Sequence, residues 1–169
     1  FLETLKLLSI AEAPKGANVA GFTCSGGGAT MLADHCEKIG LAFPPVAAGE
    51  EAALAALLPA IATVSNPLDY TTPIWGQGDL TYPVFAKAMA AMGADAAVLV
   101  QDYPAPGLDA SKVYYQNDAA AFAKAWRRGP GQFVGVTCHD DVVQWLNPDW
   151  VIDTRSAEFK WRRLRRAPR

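Results

Sequence analysis

The chain has 169 residues, 51% of them apolar, and a formal net charge of −2. This length supports one buried core and therefore one main domain. The near-neutral charge excludes the broad positive field that draws proteins to nucleic acid or anionic membranes, and no stretch approaches the roughly 20 uninterrupted apolar residues of a membrane-spanning helix. We therefore expect a cytoplasmic protein that binds neither nucleic acid nor membrane.

The first predicted strand covers residues 18–24. Its apolar, β-branched and aromatic residues lie between Lys15-Gly16 and a run of glycines, which is typical of a buried strand. From Ala29 onward, apolar residues recur at helical spacing until Gly40 supplies a stop signal. The pattern predicts an amphipathic helix directly after the first strand.

The same alternation continues along the chain. The predicted elements are a short helix over 50–58, a strand over 61–65, a turn at 66–69, a helix over 80–92, a strand over 96–100, a helix over 117–128 and a strand over 133–137. Strands separated by helices of this length favour βαβ units. We predict an α/β fold with a doubly wound, mainly parallel sheet of five strands, flavodoxin-like or Rossmann-like.

Two long segments, 70–79 and 103–116, are rich in proline, glycine and aromatic residues and follow predicted turn or strand ends. Ligands of open parallel sheets lie beyond the carboxyl ends of the strands, so these segments are candidate rim loops.

We assign residues 1–150 to this domain and 151–169 to a basic tail, because six lysines and arginines fall within the last ten residues. We expect a solvated or disordered, non-native terminus there, with contact to nucleic acid or an acidic partner as the alternative. The chain begins with Phe1 rather than Met, from which we expect a processed chain or a fragment.

The glycine run follows the first strand and opens the first helix. Ser25 is the predicted N-cap, and Gly26, Gly27 and Gly28 leave the backbone open to a bulky anion. Because a helix N-terminus offers unpaired N–H groups and the positive end of the helix dipole, the motif predicts a phosphate site. The alternative is a tight turn that lets the helix pack closely on the sheet.

The motif is not a common nucleotide-binding loop. It lacks the Gly-Lys-Ser/Thr of a Walker A sequence and the spacing of GxGxxG. The three cysteines, Cys24, Cys36 and Cys138, have neither the number nor the spacing of a zinc site, so we predict reduced thiols and no metal.

An ordered set of motifs resembles the ligase domain of NDP-forming acyl-CoA synthetases, the acetate–CoA ligase relatives of succinyl-CoA synthetase. The resemblance covers roughly residues 1–138. It rests on the following residues, in chain order: Ser25-Gly26-Gly27, Asp34, Gly40-Leu41, Leu58-Pro59 and Asn66-Pro67-Leu68-Asp69.

The resemblance implies a flavodoxin-like module of a larger enzyme. Its partners would be CoA-binding, phosphohistidine ligase and ATP-grasp domains or subunits, and a homo-oligomer is a further possibility. CoA and ATP with Mg²⁺ would be substrates of the full-length enzyme, with no tightly bound cofactor. The helix that starts at Gly26 would direct its N-terminus at a phosphohistidine, and Asn66 and Asp69 would lie on a neighbouring rim loop.

The phosphohistidine loop of the family is absent from this sequence. His35 lies more than two turns beyond the glycines, where we predict an exposed structural role, and His139 is predicted to cap a helix or lie at the surface. The resemblance thus predicts no acyl-CoA synthesis by this chain alone and assigns no certain catalytic residue.

Several alternatives stay open at this stage. Cys138 beside His139 is a weak nucleophile candidate, and Asp140-Asp141 could bind a metal with Asp69 or Asp102 or cap a helix. The loop aromatics could pack against CoA or against loops and another domain; they are Tyr70, Trp75, Tyr103, Tyr114 and Tyr115. The whole domain could instead be a noncatalytic regulatory or assembly module, or a small flavodoxin-like phosphate- or nucleotide-binding protein.

Overall fold

The chain folds around a parallel β-sheet with helices on both faces. The computed structural model describes residues 14–101, 112–128, 132–133, 150–153 and 158–161. The sheet contains β1 (Val19–Thr23), β2 (Leu68–Asp69), β3 (Ala96–Leu99) and β4 (Gln132–Phe133) in the order β2-β1-β3-β4, and all its pairs are parallel.

Four helices accompany the sheet in the described part of the chain, besides one 3-10 turn at Thr72–Ile74. They are α1 (Gly26–Lys38), α2 (Glu51–Ala55), α3 (Gly78–Ala91) and α4 (Lys112–Trp126). None of the helices described is long and apolar enough to cross a bilayer.

Neighbouring residues of β1 contact helices on opposite faces of the sheet. A Cβ atom at Gly21 would lie 2.8 Å from Leu32 of α1, whereas the Phe22 ring packs edge-on against Phe85 of α3 and Phe122 of α4 at centroid distances of 5.3 and 5.8 Å. This alternation follows from the two-residue period of a strand. The α/β arrangement expected from the sequence, a parallel sheet flanked by helices, is present and is compatible with a flavodoxin-like fold.

The core lies between β1 and the pair of helices α3 and α4. Phe22, Phe85 and Phe122 are almost completely buried, and Tyr70 packs edge-on against Phe85 at 5.1 Å. Burial of a side chain of this size stabilises the fold by roughly 1.5–3 kcal/mol. These contacts hold both helices against the strand that leads into the glycine run.

The described residues contain four strands of the main sheet, whereas the sequence predicts five.

The prediction of a strand over 61–65 is wrong. This stretch is irregular, and β2 follows it at Leu68–Asp69, inside the predicted turn. The Asn66 side chain accepts a hydrogen bond from Gly21 N and donates to Val19 O. It thereby satisfies the β1 backbone groups that a longer second strand would have bonded.

The first helix ends as the sequence predicts. Gly40 has a φ of +78°, and Leu41 N donates to Cys36 O at 3.0 Å, which closes the last turn.

The last helix starts earlier than the sequence predicts, because α4 begins at Lys112, five residues before the predicted start at 117. Part of the second candidate rim loop is therefore helical.

A two-stranded antiparallel ladder follows the main sheet in sequence. β5 (Trp150–Asp153) pairs with β6 (Glu158–Trp161). These paired residues are ordered, unlike the disordered terminus that the sequence offers as one alternative, and the division of the chain at residue 150 stays a prediction.

Candidate functional site

The candidate site lies where the two neighbouring strands β1 and β2 end. Thr23 pairs in register with Asp69, so the carboxyl ends of both strands meet at one edge of the sheet. Cys24 and Ser25 follow Thr23 directly and lead into α1. Asp69 therefore lies beside the start of this helix.

Ser25 is the N-cap of α1, as predicted. Its backbone is extended, with φ −143° and ψ 125°, and its Oγ accepts a hydrogen bond from Gly28 N at 3.4 Å. The first intrahelical bond runs from Ala29 N to Ser25 O at 3.0 Å. The N–H groups of Gly26 and Gly27 have no acceptor within the helix, and both residues are exposed.

Packing requires glycine at only one of the three glycine positions. A Cβ atom at Gly28 would lie 2.7 Å from Oγ1 of the buried Thr23, so close packing of helix on strand requires glycine there. At Gly26 and Gly27 the nearest atoms would be Asp69 Oδ2 at 3.5 Å and Ser25 Oγ at 3.7 Å, which are ordinary contacts. Neither residue has a positive φ. The packing explanation therefore accounts for Gly28 and not for Gly26 or Gly27.

We call Ser25, Gly26, Gly27 and Gly28 the cradle. Asp69 places a carboxylate at its edge: Oδ1 accepts from Thr71 N at 2.9 Å, and Oδ2 lies on the side of Gly26. A carboxylate near a helix N-terminus is stabilised by the helix dipole, and it also reduces the positive potential available to a second anion. The structure thus brings Asp69 and the cradle together, as predicted.

Asn66 does not join this site. Its side-chain amide bonds Gly21 N at 2.9 Å, Val19 O at 2.8 Å and Pro44 O at 2.9 Å. These partners lie beside the middle and the beginning of β1, away from the cradle. The prediction that Asn66 shapes the rim is wrong, because its three hydrogen bonds hold chain segments together.

A buried acid that the sequence analysis missed lies near this edge. Asp118 of α4 has no exposed surface; its Oδ2 accepts from Tyr70 Oη at 2.9 Å and its Oδ1 from Gly76 N at 3.0 Å. One sequence signal was available, because Asp118, Phe122 and Trp126 share one face of α4 at a spacing of four residues. An acid in an otherwise apolar stripe marks a buried polar contact.

Burial raises the pKa of this group and of two of its neighbours. It raises the pKa of Asp118 to about 6, against the opposing effect of the hydrogen bonds from Tyr70 Oη and Gly76 N. Burial, together with the Asp118 charge, raises the pKa of Cys24 to about 11 and that of Tyr70 well above its ordinary value. Cys24 is therefore a neutral thiol at pH 7 and a poor nucleophile.

The segment after β2, residues 70–77, is held tightly; we call it the 70–77 loop. Thr71 has φ +68° and ψ 151°, a conformation that β-branched residues rarely adopt. Gly76 has φ +74°, and a Cβ atom there would lie 2.3 Å from the Tyr114 ring. Asn117 Nδ2 donates to Gly76 O at 2.9 Å, so the start of α4 fixes the end of this loop.

The described aromatic side chains of the predicted rim loops pack against protein. Tyr70 is fully buried, which excludes the prediction that it packs on CoA. Trp75 contacts the rings of Tyr114 and Tyr115 at 5.1 and 4.8 Å. Trp75, Tyr114 and Tyr115 therefore pack against one another, which is the alternative of packing within the loops.

The remaining candidates are placed as follows. His35 is exposed in the last turn of α1, as predicted. Outside the described residues lie Asp102, Tyr103, Cys138, His139, Asp140 and Asp141. Within the part of the chain that the structure describes, no three His, Cys, Asp or Glu side chains are grouped closely enough to hold a metal ion.

Comparison with known proteins identifies a similar solved structure. No protein-family model and no curated protein sequence matches the chain. The chain is similar to the crystal structure of PH0766 from Pyrococcus horikoshii OT3, with a TM-score of 0.62 and 21% sequence identity over 84% of this chain. The match covers 34% of PH0766, so the chain spans about a third of that protein's length. The similarity supports the α/β fold.

Proposed function

We propose that this chain is a flavodoxin-like ligase domain of an NDP-forming acyl-CoA synthetase. In this proposal the cradle stabilises a phosphoryl group while acid, CoA and ATP are converted to acyl-CoA. The observation that carries the proposal is the pair Gly26 and Gly27, where neither backbone conformation nor packing calls for glycine. Two exposed helix N–H groups on residues that carry no side chain of their own suit the close approach of a bulky anion.

The proposed chemistry is electrostatic. Oriented N–H groups and the helix dipole act on negative charge where it develops, and they require little reorganisation because β1 and α1 are already packed. Among the described residues the only histidine is His35, which lies about 13 Å along the helix axis from the cradle. In this proposal the phosphohistidine comes from another domain, and CoA-binding and ATP-grasp domains supply CoA and ATP with Mg²⁺.

Asp69 has a defined part in this proposal. A carboxylate at the edge of the cradle opposes tight binding of a dianion. A phosphoryl group in transfer has to be stabilised and then released, so a like charge beside the cradle limits how long it is held. Asp69 thus tunes the affinity of the cradle without contributing a hydrogen-bond donor.

The test is anion binding followed at the backbone amides of Gly26 and Gly27 by ¹H–¹⁵N NMR, with sulfate and inorganic phosphate as probes. We expect saturable shifts at these two amides. Gly26→Ala and Gly27→Ala should weaken binding about tenfold by crowding the approach, while thermal stability stays equal or rises because alanine favours the helix by about 0.5–1 kcal/mol. Gly78→Ala, at the first position of α3, is the matched control and should leave binding unchanged.

Two results contradict the proposal. One is the absence of anion-dependent shifts at the cradle in the wild-type protein. The other is a loss of stability in Gly26→Ala and Gly27→Ala with unchanged anion affinity, because it would mean that these glycines serve the fold.

A second candidate function is a noncatalytic regulatory or assembly module. The position of Asp69 favours it, because its carboxylate lies beside Gly26 and can itself complement the helix N-terminus. Asp69→Asn separates the two, since the amide keeps the acceptor for Thr71 N. If Asp69 tunes a phosphoryl site, the wild type binds sulfate and the variant binds it about fivefold more tightly, a gain of about 1 kcal/mol. If the domain is a noncatalytic module, the wild type should not bind sulfate, whereas Asp69→Asn should bind it.

A further inference from the structure

Asp118 is a buried carboxylate held by two neutral donors, Tyr70 Oη and Gly76 N. Thr81 faces it from α3, and the titratable groups that sense its charge are Tyr70, which follows β2, and Cys24, which follows β1. None of these four residues carries a positive charge. Among the residues that the structure describes around it, its negative charge is therefore balanced by hydrogen-bond donors.

Two connections lead from Asp118 to the cradle. The first is electrostatic: the charges of Asp118 and Asp69 both act on Cys24, the residue directly before the N-cap Ser25. The second is mechanical: Asp118 bonds both Tyr70 and Gly76, near the two ends of the 70–77 loop. This loop starts directly after Asp69, which borders Gly26.

We propose that anion binding at the cradle is coupled to proton uptake by the Asp118 carboxylate, which makes Asp118 a positioning residue that sets the affinity of the cradle without touching the anion. The inference rests on the proposed phosphoryl site and adds its regulation by pH. In the ionised state Asp118 adds a negative charge that acts on Cys24, the residue before the cradle. In the protonated state that charge is gone, and the carboxylic acid still accepts hydrogen bonds from Tyr70 and Gly76.

The direction of the effect follows from linkage. A bound dianion disfavours the ionised form of Asp118, so the pKa of Asp118 is higher in the bound state than in the free state. The bound state therefore carries more protons near this pKa, and affinity rises as the pH falls. Because burial already raises the pKa of Asp118 to about 6, the change falls in a range where binding is readily measured.

The experiment uses sulfate, which stays a dianion between pH 5 and 8, so that the probe itself does not titrate. Sulfate affinity is measured at the Gly26 and Gly27 amides for the wild type, Asp118→Asn and Glu37→Gln. Glu37 is an exposed acid of α1, about 16 Å along the helix axis from Gly26, and controls for loss of one negative charge.

We expect wild-type affinity to rise roughly threefold to tenfold from pH 7.5 to pH 5, which corresponds to a pKa rise of about half to one unit on binding. Asp118→Asn should bind at pH 7.5 as tightly as the wild type does at pH 5 and lose this pH dependence. Glu37→Gln should follow the wild type.

A second measurement needs no variant. The Gly76 amide donates to Asp118, so its chemical shift reports the ionisation of that carboxylate. We expect a Gly76 titration near pH 6 that moves upward with saturating sulfate. Two results overturn this inference alone. One is a Gly76 titration midpoint that does not move when sulfate is bound, and the other is a sulfate affinity of Asp118→Asn that depends on pH as strongly as that of the wild type. Failure of the wild type to bind sulfate at any pH overturns both this inference and the proposed phosphoryl site.

Discussion

The loops that follow β1 and β2 end at the same edge of the sheet and are built in opposite ways. The cradle after β1 is exposed, and its one side-chain cap is a long hydrogen bond of 3.4 Å between Ser25 Oγ and Gly28 N. The 70–77 loop after β2 is bonded to Asp118 near both ends and contains Thr71 in a strained conformation. One strand end leaves donors available to a ligand, and its neighbour fixes the carboxylate that borders them.

This contrast has a physical reason. Backbone N–H groups bind an anion well only if they keep their positions without it, because reorganisation weakens electrostatic stabilisation. The fixed loop holds Asp69 in place against Gly26, so the open cradle lies against a rigid side. Substitutions should therefore affect stability in the 70–77 loop and ligand affinity at Gly26 and Gly27.

The largest expected effect is at Gly76, in the fixed loop. Gly76→Ala adds a Cβ atom 2.3 Å from Tyr114 at a φ of +74°, and we expect a loss of about 3–5 kcal/mol in the free energy of unfolding, measured by urea denaturation. Gly93→Ala is the matched control: φ is +56° and no atom lies within 4 Å, so the loss should be near 1 kcal/mol. Equal losses in the two variants would show that Tyr114 imposes no constraint.

The next effect concerns the pH dependence of stability. Because burial raises the pKa of Asp118 to about 6 from 3.8, the native state holds a proton that the unfolded state releases between these values. The stabilisation from this proton is complete below about pH 4 and is lost as the pH rises through about 6.

Asp118→Asn should remove this contribution. Between pH 4 and pH 7.5 the wild type should lose about 2–3 kcal/mol of unfolding free energy through Asp118, and the variant should not lose this amount. Denaturation of both proteins at the two pH values measures it, with Glu37→Gln as the control for charge. Parallel pH profiles in the wild type and Asp118→Asn would contradict the assigned protonation of Asp118.

A smaller effect is expected within the cradle, at the one glycine that packing requires. Gly28→Ala sets a Cβ atom 2.7 Å from the buried Thr23 Oγ1, and we expect a loss of about 1–2 kcal/mol by thermal or urea denaturation. Gly26→Ala, in the same turn, should lose nothing. If both variants lose the same stability, the division of the glycines into one that serves packing and two that serve a ligand does not hold.

The parts of the fold that the sequence predicts well depend on local signals. Ser25 caps α1 and Gly40 ends it, and both effects act within a few residues of the chain. The strand wrongly predicted over 61–65 shows the limit of such signals, since its apolar run does look like a strand. The position beside β1 that such a strand would fill is taken by the side chain of Asn66, and the periodicity of the sequence does not predict this.

The site divides in the same way. The cradle is readable because a glycine run between a strand and a helix is a local pattern. Asp118 is not, because its partners Tyr70 and Gly76 lie 48 and 42 residues away in sequence, and only the packing of α4 on the 70–77 loop brings them together. The function of an acid in an apolar stripe depends on what faces that stripe in space.

The amide of Asn66 has a consequence for the chemical ageing of the protein. It joins β1 to Pro44 through three hydrogen bonds, and deamidation to aspartate would place a carboxylate against the carbonyl oxygens of Val19 and Pro44. The succinimide that begins this reaction forms when the backbone nitrogen of the next residue loses its hydrogen and attacks the side chain. That residue is Pro67, whose nitrogen carries no hydrogen, so the contact beside β1 is protected from the usual route of asparagine decay.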